Sequence, residues 1–249
     1  MSEIAIHEGV AHQGHTATIP CRPVTASPPR FEIVRETVES GPFSLEIERP
    51  RSAEDLIDEE EFASDERLPY WAELWPSARV LARVVAGRPL AGRRVLELGC
   101  GIGLPSIAAL AAGANPLATD WYADALRFAE ANALRATGRP LETMLVDWRS
   151  PPEALLERAP FDLVIGADLL YEERNGRALA ALLPRLAPPG GEVLICDPRR
   201  PDAVHLLEPL GAAGWRHEVE ELRYEGPLDE SGPVIRLHRL HAPNDRDRV

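Results

Sequence analysis

The amino-acid sequence predicts an α/β fold with a doubly wound, mostly parallel sheet of seven strands and an N-terminal β-hairpin extension. From about residue 74 onward, short apolar runs alternate with helical stretches, as in parallel strands joined by helices. The 249 residues are enough for one domain with a large hydrophobic core and an added lobe. A content of 45% hydrophobic and 27% charged residues is ordinary for a globular protein.

Residues 1–66 are predicted to form an arm, a hairpin and an acidic segment. Residues 1–30 are poor in large apolar side chains, as expected of a loose arm. Two alternating segments, Phe31–Val38 and Phe43–Glu48, flank a Gly–Pro pair and predict the hairpin. Residues 54–66 hold eight carboxylates, which suit either a solvated acidic surface or a lip that attracts a basic substrate.

Residues 67–242 are predicted to form the main domain, and residues 243–249 a polar tail. The last two predicted strands follow each other without a helix, so one of them is expected to be antiparallel. The strands are Arg94–Leu98, Pro116–Thr119, Leu141–Val146, Phe161–Ala167, Glu192–Cys196, His217–Leu222 and Val234–Arg239. The helices are Trp75–Ala86, Leu104–Ala112, Ala123–Ala136, Glu153–Arg158, Arg177–Leu186 and Asp202–Ala212.

The charge of the chain disfavours nucleic acid as a partner. Forty acidic residues against 27 basic ones give a formal charge of −13, which repels phosphate backbones. All 27 basic residues are arginine, which we attribute to GC-rich codon usage. We therefore expect a basic protein or a small amine as the substrate.

Cysteine usage and hydropathy predict a cytoplasmic protein. The three cysteines show no CxxC or Cys/His metal spacing, which fits free thiols in a reducing compartment and no metal site. No apolar run approaches the roughly 18 residues of a membrane span, and residues 1–13 lack the pattern of a secretion signal. We expect a monomer without membrane contact.

A glycine-rich turn after the first strand of the main domain carries the most information about function. The stretch VLELGCGIG occupies residues 95–103, and its glycines let the backbone turn sharply and approach a ligand. Leu104 stands where the dinucleotide fingerprint needs glycine, and a chain without lysine cannot form the Walker pattern. Glu97 at the end of the strand suits a cation better than a pyrophosphate. S-adenosylmethionine, which carries a sulfonium and an ammonium and no phosphate, is the cofactor that fits.

Further residues at the ends of the next strands support the same site. Asp120 is placed to bond both ribose hydroxyls, or alternatively to cap the next helix. Asp147 can accept from the adenine amino group, while Trp148 packs either on the adenine ring or in the core. Trp121 and Ala167 are included in the predicted cofactor site.

These motifs resemble those of class I, seven-strand S-adenosylmethionine-dependent methyltransferases, which have a Rossmann-like fold. More narrowly, the chain resembles methyltransferase family 16, which includes protein-lysine methyltransferases and nicotinamide N-methyltransferase-like bacterial proteins. The sequence VLELGCGIGLP at residues 95–105 carries the match to the class. The sequences LWPS at 74–77 and DLLY at 168–171 carry the match to the family. The resemblance covers about residues 68–200, and residues 1–30 match nothing that we can name.

The resemblance implies roles for individual residues. It implies that Trp75 packs beside the cofactor and that Asp168 and Tyr171 face the amine that accepts the methyl group. It also implies that three glycines line the methionine end of the cofactor, namely Gly99, Gly101 and Gly103.

Asp168 and Tyr171 also have a physical case of their own, because residues just past a strand's carboxyl end form the ligand crevice of such a sheet. There the carboxylate can orient an amine, and the ring can offer a cation–π surface. Alternatively, Asp168 caps the following helix and Tyr171 is a packing residue. After the fifth strand, Asp197 could line the crevice, with Arg199 and Arg200 reaching a substrate carboxylate, or this stretch is a plain turn.

The hypothesis that follows is an S-adenosylmethionine-dependent N-methyltransferase that acts on a lysine side chain of a protein. One alternative is a methyltransferase of a small nitrogen-containing metabolite. The other is a cofactor-binding partner protein without turnover. The Asn/Asp-Pro-Pro-Tyr motif of enzymes that methylate nucleic-acid amino groups is absent.

Overall fold

The structure is a computed structural model that describes residues 32–56, 69–224 and 232–244. The predicted arm of residues 1–30 and the first predicted hairpin residue, Phe31, lie outside the described residues. Most of the acidic segment at 54–66 and residues 245–249 of the predicted tail also lie outside them. No described helix has the length and apolar character that crossing a membrane requires.

The predicted hairpin is present, with each strand ending two residues later than expected. Strand β1 is Ile33–Ser40, strand β2 is Phe43–Pro50, and they pair in antiparallel register. The turn between them contains Gly41, whose φ is 58°. A Cβ atom there would lie 3.2 Å from that of Ala86, so the turn packs closely on the following helix.

Asn132 attaches the hairpin to the main domain. Its side chain is fully buried, and its amide oxygen accepts a hydrogen bond from the backbone N–H of Glu48 at 2.8 Å. Its amide nitrogen donates to the carbonyl oxygens of Glu48 at 2.9 Å and Ile102 at 3.2 Å. One side chain thus connects the hairpin to the glycine-rich turn.

The main sheet has the seven predicted strands in the order β5-β4-β3-β6-β7-β9-β8. Strand β9 runs in the direction opposite to the other six strands of this sheet, which confirms the mostly parallel, doubly wound fold with one reversed strand. The strands are β3 Arg94–Leu98, β4 Asn115–Asp120, β5 Glu142–Leu145, β6 Leu163–Ala167, β7 Glu192–Asp197, β8 Arg216–Arg223 and β9 Val234–His241.

Six α-helices are described, and two differ clearly from their predicted lengths. Helix α5 begins four residues earlier than expected, because Glu173 joins its first turn, where its carboxylate accepts from Arg177 Nε at 2.7 Å. Helix α4 is a single turn. The helices are α1 Pro76–Ala86, α2 Leu104–Ala111, α3 Ala123–Thr137, α4 Glu153–Leu156, α5 Glu173–Leu186 and α6 Val204–Ala212.

The order of the strands creates a crevice beside β3. The chain passes from β3 outward through β4 to β5, then returns to the other side of β3 as β6 and β7. Loops from the carboxyl ends of β3 and β6 therefore diverge, and an open α/β sheet binds ligands at such a point. The strands on both sides are buried, which fixes the positions of the residues at their ends.

Candidate active site

A cavity of about 1140 Å³, counting space that opens to solvent, lies at this crevice. Its lining contains six carboxylates and two guanidinium groups, so the site favours a cationic ligand. The charged residues that line it are Glu73, Glu97, Asp120, Asp147, Asp168, Glu172, Arg149 and Arg174.

Two glycines of the turn after β3 line the cavity, as expected. Gly99 and Gly101 have φ values of 62° and 51°, in the left-handed region that favours glycine. A Cβ atom on Gly101 would lie 3.0 Å from the carbonyl oxygen of Trp71, and one on Gly99 would lie 2.6 Å from Leu169 Cδ2. A larger residue at either position would therefore collide with its neighbours in the cavity wall.

Gly103 serves packing instead and does not line the cavity. It stands just before α2 with φ of 89°, and a Cβ atom on it would lie 2.7 Å from the Cβ of Ala129 on α3. The sequence could not separate this role from ligand contact, because both require a glycine in the same short motif.

Glu97 is the most deeply buried carboxylate of the cavity, with 1% of its surface exposed. One of its oxygens accepts a hydrogen bond from the backbone N–H of Ser106 at 2.8 Å. Burial raises the pKa of Glu97 to about 8, although the bonds from Ser106 act in the opposite direction. Glu97 is therefore mostly protonated at neutral pH, and a cation beside it would favour its ionised form.

Asp120 holds the glycine-rich turn in place. Its Oδ2 accepts from the backbone N–H of Gly101 at 2.9 Å, and its Oδ1 accepts from that of Tyr122 at 2.9 Å. Helix α3 starts after Tyr122 and receives no side-chain cap. The predicted alternative of a helix cap is therefore replaced by an Asx-type turn that leaves the carboxylate in the cavity wall.

Asp147 and Trp148 continue the wall beyond β5. Arg149 donates from Nε to Asp147 Oδ1 at 3.1 Å and from its terminal nitrogen to Oδ2 at 3.1 Å. Its guanidinium also lies 5.3 Å from the ring centroid of Trp121, which lines the same side. The indole N–H of Trp148 is buried and lacks a hydrogen-bond partner among the described residues.

Asp168 stands at the opposite wall, directly after β6 and beside Ala167 of the cavity lining. Its φ is 57°, a conformation that Asp adopts more readily than most residues, and its backbone N–H donates to the carbonyl oxygen of Cys196 at 2.7 Å. It does not cap α5, which begins after Glu172. Burial raises the pKa of Asp168, while the Arg200 guanidinium opposes that rise.

The residues after β7 do not take the role considered for them, which was to line the crevice and bind a substrate carboxylate. Arg200 donates from Nε at 2.9 Å to Asp168 Oδ1, and Arg199 pairs with Glu221 at 2.7 Å. Asp197 is fully buried and absent from the cavity lining. These arginines are therefore engaged by carboxylates of the protein itself rather than set to receive one from a substrate.

Tyr171 belongs to an aromatic rim at the cavity, formed with Tyr70 and Trp75. The ring centroids of Tyr70 and Tyr171 are 5.5 Å apart, those of Tyr70 and Trp75 are 6.0 Å apart, and both pairs meet edge to face. The indole N–H of Trp75 donates to the carbonyl oxygen of Tyr70 at 2.9 Å. Tyr171 keeps 37% of its surface exposed and so presents a ring face to an incoming group.

Sequence reasoning missed several residues of the site. Tyr70 and Trp71 precede the Trp-Pro motif and line the cavity, and their aromatic character near that motif was the available signal. Asn175 also lines it and donates to the carbonyl oxygen of Leu169 at 3.1 Å, which fixes the loop that carries Asp168 and Tyr171. No sequence pattern distinguished Asn175 from an ordinary helix residue.

Solved structures with the same architecture include methyltransferases. The structure of SMU.776 in complex with SAH superposes with a TM-score of 0.59 at 12% identity, covering 84% of this chain and 56% of that one. The precorrin-6y C5,15-methyltransferase from Geobacter metallireducens gives 0.52 at 15% identity, covering 66% of this chain and 88% of that one. At such identities the likeness shows the fold alone.

Curated relatives are more similar in sequence. Protein N-lysine methyltransferase METTL21A of Danio rerio is 30% identical over 197 residues, which are 76% of this chain and 84% of that protein. The electron transfer flavoprotein beta subunit lysine methyltransferase of Xenopus laevis is 31% identical, over 63% of this chain and 65% of that protein. The ubiquinone biosynthesis O-methyltransferase of Ralstonia nicotianae is 34% identical, over 50% of this chain and 51% of that protein.

This chain thus spans 65% or less of the length of several curated relatives that it matches. The pattern of a family described as lysine methyltransferase matches residues 65–206, from just before the aromatic rim to α6. That range holds each of the cavity residues described above. The family predicted from the sequence is confirmed: the chain belongs to the lysine methyltransferase family.

Proposed function

We propose that this protein is an S-adenosylmethionine-dependent N-methyltransferase that methylates a lysine side chain of a protein. The observation that carries the proposal is the position of Asp168, a buried carboxylate that lines the same cavity as the aromatic rim and the glycine-rich turn. From the composition we also infer a cytoplasmic, monomeric enzyme with a basic protein partner.

The donors and acceptors of the cavity fit S-adenosylmethionine. Gly99 and Gly101 line the cavity without side chains, and the buried indole N–H of Trp148 lacks a partner among the described residues. The carboxylates Glu97 and Asp120 suit an ammonium and a ribose diol. Trp148 and Asp147 would contact the adenine ring. The bound cofactor supplies an electrophilic methyl group on a sulfonium.

The protein's own residues would position the acceptor for this chemistry. Asp168 would accept a hydrogen bond from the amine and keep its nitrogen in line with the methyl carbon. Tyr171 and Tyr70 would flank the aliphatic stem and stabilise the charge that develops on nitrogen. Closing the cavity around the stem would exclude water from the reacting atoms.

The test uses tritiated S-adenosylmethionine, the purified protein and a desalted lysate of its host. We expect a discrete labelled protein band, and the Asp168→Ala variant should lose about a hundredfold or more of the transfer. Calorimetry should show nearly unchanged cofactor affinity in that variant. The matched control is Asp162→Ala, at the opposite end of β6, which should retain transfer.

Other outcomes would redirect the proposal. Label confined to the small-molecule fraction would replace the protein substrate by a nitrogen-containing metabolite. Cofactor binding without transfer to either fraction would favour a partner protein that has no turnover. Loss of cofactor affinity in Asp168→Ala would show that Asp168 belongs to the cofactor site instead.

A further inference from the structure

Asp168 and Arg199 are the two residues other than glycine that have a positive φ in the described ranges. Asp168 follows β6 with φ of 57°, and Arg199 follows β7 with φ of 64°. The two strands pair in parallel, so these turns lie side by side. Such a conformation is costly for a long side chain, and it persists only where the surrounding contacts hold it.

A buried network holds the backbone of the next residue, Arg200. Asp197 is fully buried, and its Oδ1 accepts from the Arg200 backbone N–H at 2.7 Å. Its Oδ2 lies 2.8 Å from His238 Nε2, and His238 Nδ1 lies 2.9 Å from His217 Nε2. The position of Arg200 is therefore fixed from inside the sheet by three strands.

The guanidinium of Arg200 engages one oxygen of Asp168. Its Nε and a terminal nitrogen lie 2.9 and 2.8 Å from Oδ1. The Asp168 side chain is 6% exposed and that of Arg200 is 33% exposed, and of the two Asp168 lines the cavity. Both contacts go to Oδ1, so Arg200 does not occupy Oδ2, and the Ser77 hydroxyl is a further donor near this carboxylate.

We propose that Arg200 is a positioning residue that neutralises Asp168, so that the acceptor lysine binds as a neutral amine rather than as an ammonium. This inference rests on the proposed function. An ammonium has no lone pair to offer to the methyl carbon, and a buried carboxylate without a countercation would stabilise that unreactive form. With Arg200 in place the pair has no net charge. Oδ2 can then accept an N–H of the neutral amine and leave its lone pair directed at the methyl group.

Other charged and polar groups near the acceptor also affect the balance between its ammonium and neutral forms, and they are the same in the variants used below. The carboxylates favour an ammonium, and Arg174 opposes it. These groups, with the Ser77 hydroxyl on α1 near Asp168, are Asp197, Glu97, Asp120, Glu172, Arg174, His238 and His217. Because they are unchanged, they cancel in the ratio of variant to wild-type rates.

The first experiment compares tritium transfer to poly-L-lysine between pH 6.5 and 9.5 for wild type, Arg200→Gln and Arg200→Lys. Removing the charge raises the pKa of the bound amine and removes the opposition to the raised pKa of Asp168. Arg200→Gln should therefore lose about tenfold in kcat at pH 7, with a fall in KM because the ammonium binds more tightly, and both values should recover toward pH 9.5. Arg200→Lys should keep the wild-type pH dependence at a lower rate. Lysine retains the positive charge but cannot contact Asp168 through two nitrogens as the guanidinium does.

Arg199→Gln is the matched control, because Arg199 pairs with Glu221 and not with Asp168. It should keep the wild-type pH profile. A ratio of Arg200→Gln to wild-type kcat that does not vary with pH would overturn the inference and leave Arg200 a purely structural role. Absence of transfer by the wild type would count against the proposed function, and the second experiment would then decide the inference alone.

The second experiment measures binding without turnover. The probe is n-butylamine, titrated by calorimetry into each protein with saturating S-adenosylhomocysteine at pH 7 and pH 10. At pH 7, where the probe is a cation, Arg200→Gln should bind it about tenfold more tightly than wild type. Wild type should instead gain affinity at pH 10. Equal affinities in the two proteins at pH 7, or no measurable binding to Arg200→Gln, would overturn the inference.

Discussion

The two walls of the cavity are built by different means. At the wall formed after β3 and β4, backbone N–H groups hold the carboxylates: Ser106 donates to Glu97 and Gly101 donates to Asp120. At the wall formed after β6 and β7, a side chain holds the carboxylate: the Arg200 guanidinium donates to Asp168. The first wall is thus a property of the local chain, and the second depends on residues that are distant in sequence.

This difference bears on how each wall responds to a ligand. A carboxylate held by peptide N–H groups keeps its geometry when the charge of the ligand changes, because the peptide groups are fixed by the fold. A carboxylate held by a partly exposed guanidinium can exchange part of that interaction with a ligand that enters. We therefore assign binding of an invariant cofactor to the first wall and control of the acceptor to the second.

The largest expected effect is at the first wall, from Gly101→Val. A side chain there would meet the carbonyl oxygen of Trp71 in a backbone conformation with φ of 51°. We expect cofactor affinity, measured by calorimetry, to fall about a hundredfold or more. Gly138→Ala is the matched control, since its φ is 67° but nothing lies within 4 Å of the added Cβ. If Gly101→Val retains affinity, the turn is not the cofactor cradle.

The next effect concerns Asp120, which both holds the turn and faces the ligand. Asp120→Ala should weaken cofactor binding by about ten- to a hundredfold, because two hydrogen bonds to a charged group are lost. Asp124→Ala, an exposed carboxylate in the first turn of α3, should bind as wild type does. Equal losses in the two variants would point to a general charge effect and not to a ribose contact.

A pH effect should distinguish the buried acid of the first wall. Glu97 is mostly protonated below pH 8 because its pKa is raised to about 8. Since a cationic ligand favours the ionised form, binding at pH 7 should release about one proton, and affinity should fall as the pH decreases below 8. Calorimetry in buffers of different ionisation enthalpy measures the release, and Glu97→Gln should abolish it. Unchanged proton release in that variant would contradict the assignment.

The raised pKa of Glu97 has a second consequence, for folding. The native state binds this proton more tightly than the unfolded chain, whose carboxyl has the ordinary value of 4.5. The contribution of Glu97 to the free energy of unfolding therefore decreases as the pH rises from about 4.5 to about 8. Denaturant titrations of wild type and Glu97→Gln measure the free energy of unfolding across that pH range. The decrease with pH that Glu97 causes should be present in the wild type only.

The smallest expected effect is at the aromatic rim. Tyr171→Leu should raise KM for the protein acceptor by about two- to fivefold, since it removes one ring face from the path of the amine. Tyr171→Phe keeps the ring and its edge-to-face contact with Tyr70, so KM should stay near the wild-type value. If Tyr171→Phe raises KM as much as Tyr171→Leu does, the hydroxyl is important and the ring is not.

The two walls also differ in how far the sequence predicts them. The glycine-rich turn, Glu97 and Asp120 lie within a short span whose spacing specifies strand, turn and helix, so pattern reasoning located them. It failed at Gly103, because a close approach of α3 requires glycine as strictly as a ligand does. Helix starts were also misplaced where acidic residues at the N-terminus extended a helix, as in α5.

The second wall was only half predictable. Asp168 and Tyr171 follow a strand and share a motif, but the partner of Asp168 lies 32 residues away on another strand. Two backbone turns in the left-handed region and the buried Asp197 determine which oxygen of Asp168 the Arg200 guanidinium contacts. These are tertiary features, and no local propensity encodes them. The attachment of the hairpin by Asn132 was missed for the same reason.

The reversed strand β9 has a consequence for the order in which the protein can become active. Because β9 inserts between β7 and β8, the edge of β7 stays open until residues 234–241 have left the ribosome. His238, which supports Asp197, arrives on that same strand. A nascent chain can therefore assemble the cofactor wall before residues 234–241 are made, whereas the wall that holds Asp168 is completed only after them. The enzyme would thus gain the capacity to hold a methyl donor before it can use one.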